Sequence, residues 1–119
     1  MQGKGKYIWA SGRFYSGYWK ENQLDGSGEF TFEDGRKLIG TWQNDKKHGF
    51  IQEIYPSGAV VRCNWKKGKR EGYCYILNKD GSVDRRKYDN NEMLEEIKSI
   101  NVESVPKEFG NENYIFDSG

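Results

Sequence analysis

Residues 15–19 read Tyr15-Ser16-Gly17-Tyr18-Trp19, and 23 positions later residues 38–42 read Leu38-Ile39-Gly40-Thr41-Trp42. A third copy, Val61-Arg62-Cys63-Asn64-Trp65, keeps the tryptophan and the interval, and Tyr88 takes the fourth place in that column. Two glycine columns hold the same period: Gly12, Gly35, Gly58 and Gly81, and Gly3, Gly26, Gly49 and Gly72. Softer columns run beside them: Tyr7, Phe30, Glu53 and Ile76; Trp9, Phe32, Tyr55 and Asn78; Tyr15, Leu38, Val61 and Asp84. A fixed period of this length marks a repeat architecture in which each unit is one supersecondary element.

The pattern within a unit has period two, since Phe30 and Phe32 share a face, as do Leu38, Gly40 and Trp42. Between these two short strands lies Glu33-Asp34-Gly35, with counterparts Pro56-Ser57-Gly58 and Lys79-Asp80-Gly81. Such steps suit tight turns, so Gly12, Gly35, Gly58 and Gly81 are assigned as structural turn residues. Each unit reads as one β-hairpin. The second link, from Gln43 to Gly49, is polar and equally short, which lets successive hairpins lie side by side in an antiparallel meander. Gly17, between Tyr15 and Trp19, leaves a slot in the pleat where an aromatic ring from the neighbouring strand can lie.

Composition supports an all-β reading. Only 34% of the 119 residues are hydrophobic, and many of those are aromatic: four Trp, eight Tyr and six Phe, beside 15 Gly and two Pro. The mean hydropathy of −1.00 argues against a deep aliphatic core. Lys and Arg number 19 and Asp and Glu 18, so net charge gives no reason to expect nucleic acid as a partner. Cys63 and Cys74 read as two half-buried thiols of a protein in a reducing, cytosolic compartment. The N-terminus lacks the features of a secretory signal, and no apolar run reaches membrane-spanning length.

At Tyr15-Ser16-Gly17-Tyr18-Trp19 and Leu38-Ile39-Gly40-Thr41-Trp42, with Lys47-His48-Gly49 and Asp25-Gly26-Ser27-Gly28 as loop ends, the chain resembles the MORN (membrane occupation and recognition nexus) repeat. That family carries a Y-x-G-x-W core followed by a loop ending in H-G-x-G. The resemblance covers residues 1 to about 88 and weakens along the chain, where Cys63 replaces glycine and Asp84 to Tyr88 keep little beyond spacing. It implies arrays like those of radial spoke head proteins, junctophilins, some phosphatidylinositol phosphate kinases and a histone methyltransferase, mostly attachment platforms. The chain opens at Gly3-Lys4-Gly5, the second half of a loop motif, as expected of a truncated array or of a first strand open to a partner.

After Tyr88 the composition changes. Asp89-Asn90-Asn91-Glu92 looks like a capping box, and Met93, Leu94, Ile97 and Ile100 fall on a helical stripe, predicting a helix over residues 91–101 that caps the sheet end. The expected architecture is therefore a single-layer meander of hairpins over residues 1–88, followed over 89–119 by a short α-helix and an extended tail. In that tail Tyr114-Ile115-Phe116 is apolar enough to dock as a strand.

The inventory of chemical motifs points away from catalysis and cofactors. His48 is the only histidine and sits where the family places a loop histidine, no metal-ligand spacing exists, and the G-x-G pairs lack a phosphate-loop context. No catalytic residue, metal ligand or cofactor site is assigned. Two binding surfaces remain. An aromatic face, comprising Tyr7, Trp9, Tyr15, Trp19, Phe32, Trp42, Tyr55 and Trp65, has no second sheet to cover it and suits a helix or extended segment of a partner protein. A basic loop edge, comprising Lys46, Lys47, Lys66, Lys67, Lys69 and Arg70, suits anionic phosphoinositide lipid or an acidic partner. The function expected is a non-enzymatic adaptor among other proteins of a larger assembly, cytoplasmic, and cytoskeletal or ciliary by family frequency. The alternatives are a peripheral membrane module and a regulatory fragment of a larger enzyme.

Overall fold

Two kinds of turn alternate along the chain and set its path. In the first, the N–H of Trp9 donates to the Arg13 carbonyl and that of Gly12 to the Trp9 carbonyl; the same pair recurs at Phe32, Tyr55 and Asn78. Gly12, Gly35, Gly58 and Gly81 close these turns with φ between 94° and 104°, backbone that a side chain rarely tolerates. In the second, both central residues are left-handed, with φ between 51° and 84° at Glu21-Asn22, Asn44-Asp45, Lys67-Gly68 and Asn90-Asn91. This is the two-residue hairpin turn whose twist matches that of the flanking strands.

The computed structural model, which describes residues 2–109, is accordingly one antiparallel sheet of nine strands in chain order. They are β1 (Gly3–Ile8), β2 (Phe14–Lys20), β3 (Gln23–Thr31), β4 (Lys37–Gln43), β5 (Lys46–Ile54), β6 (Val60–Lys66), β7 (Lys69–Leu77), β8 (Val83–Asp89) and β9 (Glu92–Ile100). The all-β hairpin meander expected from the period is thus the fold. Opposite Tyr18, Thr41 and Asn64, the register shifts and the odd-numbered strand carries extra residues. Such bulges bend the strand and increase its twist once per repeat.

Register lays the front face out in rows that cross the strands. One row runs Gly5, Gly17, Gly28, Gly40, Ile51, Cys63, Cys74. A second runs Tyr7, Tyr15, Phe30, Leu38, Glu53, Val61, Ile76, Asp84. Where the second row is aromatic the first is glycine, because the rings lie down on it. The Tyr15 ring from β2 rests on Gly28 of β3, and a methyl group at Gly28 would overlap it. The expected slot exists, and Gly17, whose added Cβ would come within 2.7 Å of the Tyr15 hydroxyl, shares it. Further along, Leu38 is smaller than tyrosine and Ile51 fills the space itself.

Two expectations fail. Residues 92–100 form β9, not a helix, and they extend the sheet instead of capping it. Asn90-Asn91 make the same left-handed turn as the earlier repeats, so β8 offers an open ladder of backbone groups to the residues that follow. Met93 and Leu94 of the supposed stripe stay 50% and 54% exposed. Cys63 and Cys74 are not free thiols. They face each other directly across β6 and β7, are 1% exposed, and are joined in a disulfide, which removes the argument for a reducing compartment.

Cover is found on the back face instead. Two short 3-10 turns, Val102–Ser104 and Lys107–Phe109, fold the chain over β5 to β8. Val105 and Phe109 pack with Tyr75, Leu77 and Val83, flanked by Phe50, Val60 and Ile100. The buried Arg62 donates through Nη1 to the Phe109 carbonyl and through Nε to Gln52 Oε1. The Tyr114-Ile115-Phe116 segment lies outside the described residues.

Two measurements check this packing. Gly28→Ala should lower stability by about 1 to 3 kcal/mol through overpacking against Tyr15, and Tyr15→Leu in the same chain, which copies the leucine of the next unit, should recover part of the loss in a denaturant titration. Phe109→Ala should cost about 3 to 5 kcal/mol, visible as a lowered melting temperature; an unchanged melt would mean the back face needs no cover.

Candidate functional site: an aromatic face rimmed with cations

The aromatic residues of the front face divide into a floor and a rim. Tyr15, Trp19, Trp42 and Trp65 are buried. Tyr15 stands edge-on between Trp19, at 5.4 Å, and Trp42, at 5.2 Å, while Trp19 Nε1 donates to the Gly5 carbonyl. Tyr7 is 45% exposed, and Trp9, Phe32 and Tyr55 are half-buried. Phe30 joins them, stacked between Trp9 at 5.2 Å and Phe32 at 4.9 Å. Near the first repeats the rim borders an open cleft of about 390 Å³ lined by Tyr7, Trp9, Arg13, Trp19, Asn22, Leu24, Phe30 and Asp45.

Cations lie on these rings. The Arg13 guanidinium sits 5.2 Å from the Trp9 ring, and its repeat equivalent Arg36 sits 4.3 Å from Phe32. On the opposite edge Lys47 and Arg70 each lie 4.7 Å from the Trp65 ring. This corrects the proposed basic edge, because neighbouring strand residues point to opposite faces: Lys47 and Arg70 belong to the aromatic face. Lys46, Lys66, Lys67 and Lys69 remain together around a separate depression of about 640 Å³, which Glu71, Asp89 and Asn90 also line. Arg13 and Arg36 escaped the sequence reading, although the 23-residue interval between them, each four residues after an aromatic, was there to be seen.

Electrostatics on the face are uneven. Glu53, buried in the tyrosine row, pairs with Arg70 at 3.1 Å and accepts from the Tyr55 hydroxyl. Burial pushes the Lys47 ammonium below its ordinary range; Glu53 works against this, and Arg70 and Arg36 add to it. Burial likewise raises the Tyr55 hydroxyl, with Glu53 reinforcing it.

The turns below the face interlock through a second column that the sequence reading passed over. Gln2, Asp25, His48 and Glu71 stand 23 residues apart, and each accepts the N–H of the next short turn, from Glu21, Asn44, Lys67 and Asn90. His48 acts here through Nδ1, at 3.2 Å from the Lys67 nitrogen. Carbonyls of Leu24, Lys47 and Arg70 receive a further N–H from Asp45, Gly68 and Asn91. Every repeat is thereby pinned to the one before it.

A family model described as the MORN repeat matches residues 1–12, 15–35, 39–60 and 64–83, more than half of the chain. The chain belongs to the MORN repeat family. The first match covers β1 and the other three fall on the successive hairpins β2–β3, β4–β5 and β6–β7, and the membership marks this chain as an interaction module for proteins or membranes. No curated protein aligns with it closely enough to count as a relative. Among the described residues no helix is long and apolar enough to cross a membrane, and no three His, Cys, Asp or Glu side chains gather to hold a metal ion.

The floor also has a pH signature. Burial pushes the Tyr15 hydroxyl up to about 12, with Asp25 adding to it and a backbone hydrogen bond at Tyr18 opposing. Its folded value exceeds the unfolded one near 10, so its contribution to stability is complete below about pH 10 and is lost as pH climbs through about 12. Alkaline unfolding followed by tryptophan fluorescence should steepen in that window, and Tyr15→Phe should flatten it.

Proposed function

We propose that this MORN protein is a non-enzymatic adaptor that docks a segment of a partner protein on its aromatic face. One observation carries the reading: a continuous stack of half-exposed rings, Tyr7, Trp9, Phe30 and Phe32, lies beside an open cleft on a floor that is already fully packed. The floor tryptophans hold the sheet together, so the rim rings are the part available for binding. Aromatic side chains of this kind, rigid and partly desolvated, dominate binding energy at protein interfaces. The cytoplasmic setting and the cytoskeletal or ciliary assembly are proposed on the strength of the resemblance to spoke head arrays alone.

A second reading rests on the depression ringed by Lys46, Lys66, Lys67 and Lys69. Four ammonium groups around one hollow suit the phosphates of an anionic lipid headgroup, and such binding weakens as salt rises. Glu71 and Asp89 in the same lining oppose it.

Trp9 distinguishes the two. The other three tryptophans are buried, so acrylamide quenching of this protein reports mainly on Trp9. Proteins recovered on the chain from its native source should protect Trp9 from quenching, and Trp9→Ala, with folding verified by circular dichroism, should weaken their binding by at least about tenfold. Unchanged quenching, together with binding lost only when the four lysines are replaced by Gln, would transfer the function to the basic depression.

A further inference from the structure

We infer that the segment received by the aromatic face is an amphipathic helix carrying carboxylates along both flanks of its apolar stripe. This rests on the docking role proposed above and names the chemistry of the occupant. The face presents side chains only; its strands spend their N–H and carbonyl groups on each other. An extended peptide laid across it would leave its own backbone groups without partners, whereas a helix satisfies them internally. Helix geometry therefore suits a face, as strand geometry suits an edge.

The cations specify the flanks. Arg13 and Arg36 line the edge formed by the longer turns, and Lys47 and Arg70 line the edge formed by the short ones. Along β4, Arg36 stands six residues before Trp42, so the two rows are about 20 Å apart at the backbone. A helix with its side chains is about 10 to 12 Å across, so it fits between the rows with its acidic flanks reaching each of them. Four cations face this channel, and of the front-face carboxylates Glu53 is committed to Arg70 and Asp84 lies at the far end on β8. Asp45, which also lines the cleft, belongs to the short Asn44-Asp45 turn and accepts the Leu24 N–H through Oδ1. Among the described residues no carboxylate lies in ion-pair contact with Arg13, Arg36 or Lys47. The Tyr55 hydroxyl is a polar neighbour of Arg36, and the Nε atoms of Arg13 and Arg36 are shielded from solvent without an acceptor. Arg13 and Arg36, held on aromatic rings without a carboxylate partner, form a receptive rim for carboxylates, which guanidinium groups take in paired hydrogen bonds; on the other edge Glu53 already serves Arg70 and acts on Lys47.

Spacing gives the register. Equivalent residues of successive repeats are two strands apart, about 9.6 Å, and two turns of helix rise about 10.8 Å. Acidic residues seven apart on one flank would meet Arg13 and Arg36 in turn. The face from β1 to β7 spans six strand intervals, about 29 Å, which is roughly 19 residues of helix.

Three synthetic helices of that length test the inference against the full chain by fluorescence anisotropy. They share one Leu and Phe stripe and carry Glu, Gln or Lys on both flanks. The Glu helix should bind about tenfold or more tightly than the Gln helix and the Lys helix weakest, with the difference shrinking as salt rises. Arg13→Gln with Arg36→Gln should shrink the preference for Glu over Gln while retaining binding of both, in a chain whose fold is verified by circular dichroism, and an undiminished preference would overturn the assignment of that flank. Equal binding of the Glu and Gln helices to the unaltered chain, or tighter binding of the Lys helix, would overturn the charge assignment while leaving the face as a docking site. Failure of all three to bind or to protect Trp9 would overturn the docking reading itself.

Discussion

The structure depends on an aromatic ring lying directly on backbone. Where Tyr15 covers Gly28 and Gly17, the sheet gains a buried layer without a second sheet, because the missing Cβ atoms let the ring lie against the backbone. A single-layer sheet otherwise has no interior, and one hairpin is marginal alone. Here the interior is made within the layer, by a ring that reaches along the strands from its own row onto the glycine row, and Tyr15 is held partly by Trp42 of the next repeat. Neighbouring repeats therefore share one packing unit.

The same arrangement explains the division between floor and rim. Rings in the central rows are closed in by neighbours on both sides, whereas those next to the longer turns, Trp9 and Phe32, have neighbours on one side and a cation above. Exposure at the rim is a consequence of ending a row at a turn. The cations belong to the same logic: a guanidinium stacked on a ring covers apolar surface while remaining solvated at its tip. Structural covering and binding capacity are then two uses of the same atoms.

Much of this was legible in the sequence, and the parts that were not have physical reasons. Hairpins, turns and the meander followed from period 23 and period two, since both are consequences of backbone geometry that every repeat must obey. The last strand was misread because irregular pairing near Val83 and Tyr88, with Ser99 in a left-handed conformation, breaks strict alternation. Met93, Leu94, Ile97 and Ile100 then imitate a helical stripe. The pair Asn90-Asn91 suits a left-handed hairpin turn as well as a helix cap, and the structure uses it as the turn. The cysteine pairing was within reach: Cys63 and Cys74 occupy the places of Gly17 and Gly28, which face each other in the first unit. For the candidate site, the aromatic rows were visible by column. Assigning Lys47 and Arg70 to a loop edge overlooked the alternation that turns them onto Trp65.

In a meander in chain order each strand shares its ladder only with its neighbours, so its mechanical behaviour is that of a zipper with teeth in single file. Force applied at either end would strip hairpins one at a time, each losing its ladder before the next is loaded. Cys63 and Cys74 fasten β6 to β7 by a covalent tooth in the middle of that file. Peeling from one end would halt there and pass the tension around the linked pair, leaving a residual sheet on the far side. An adaptor under traction would thus extend in two separate stages, with the four N-terminal repeat strands that bear the aromatic cleft yielding apart from the strands clamped beneath the C-terminal turns.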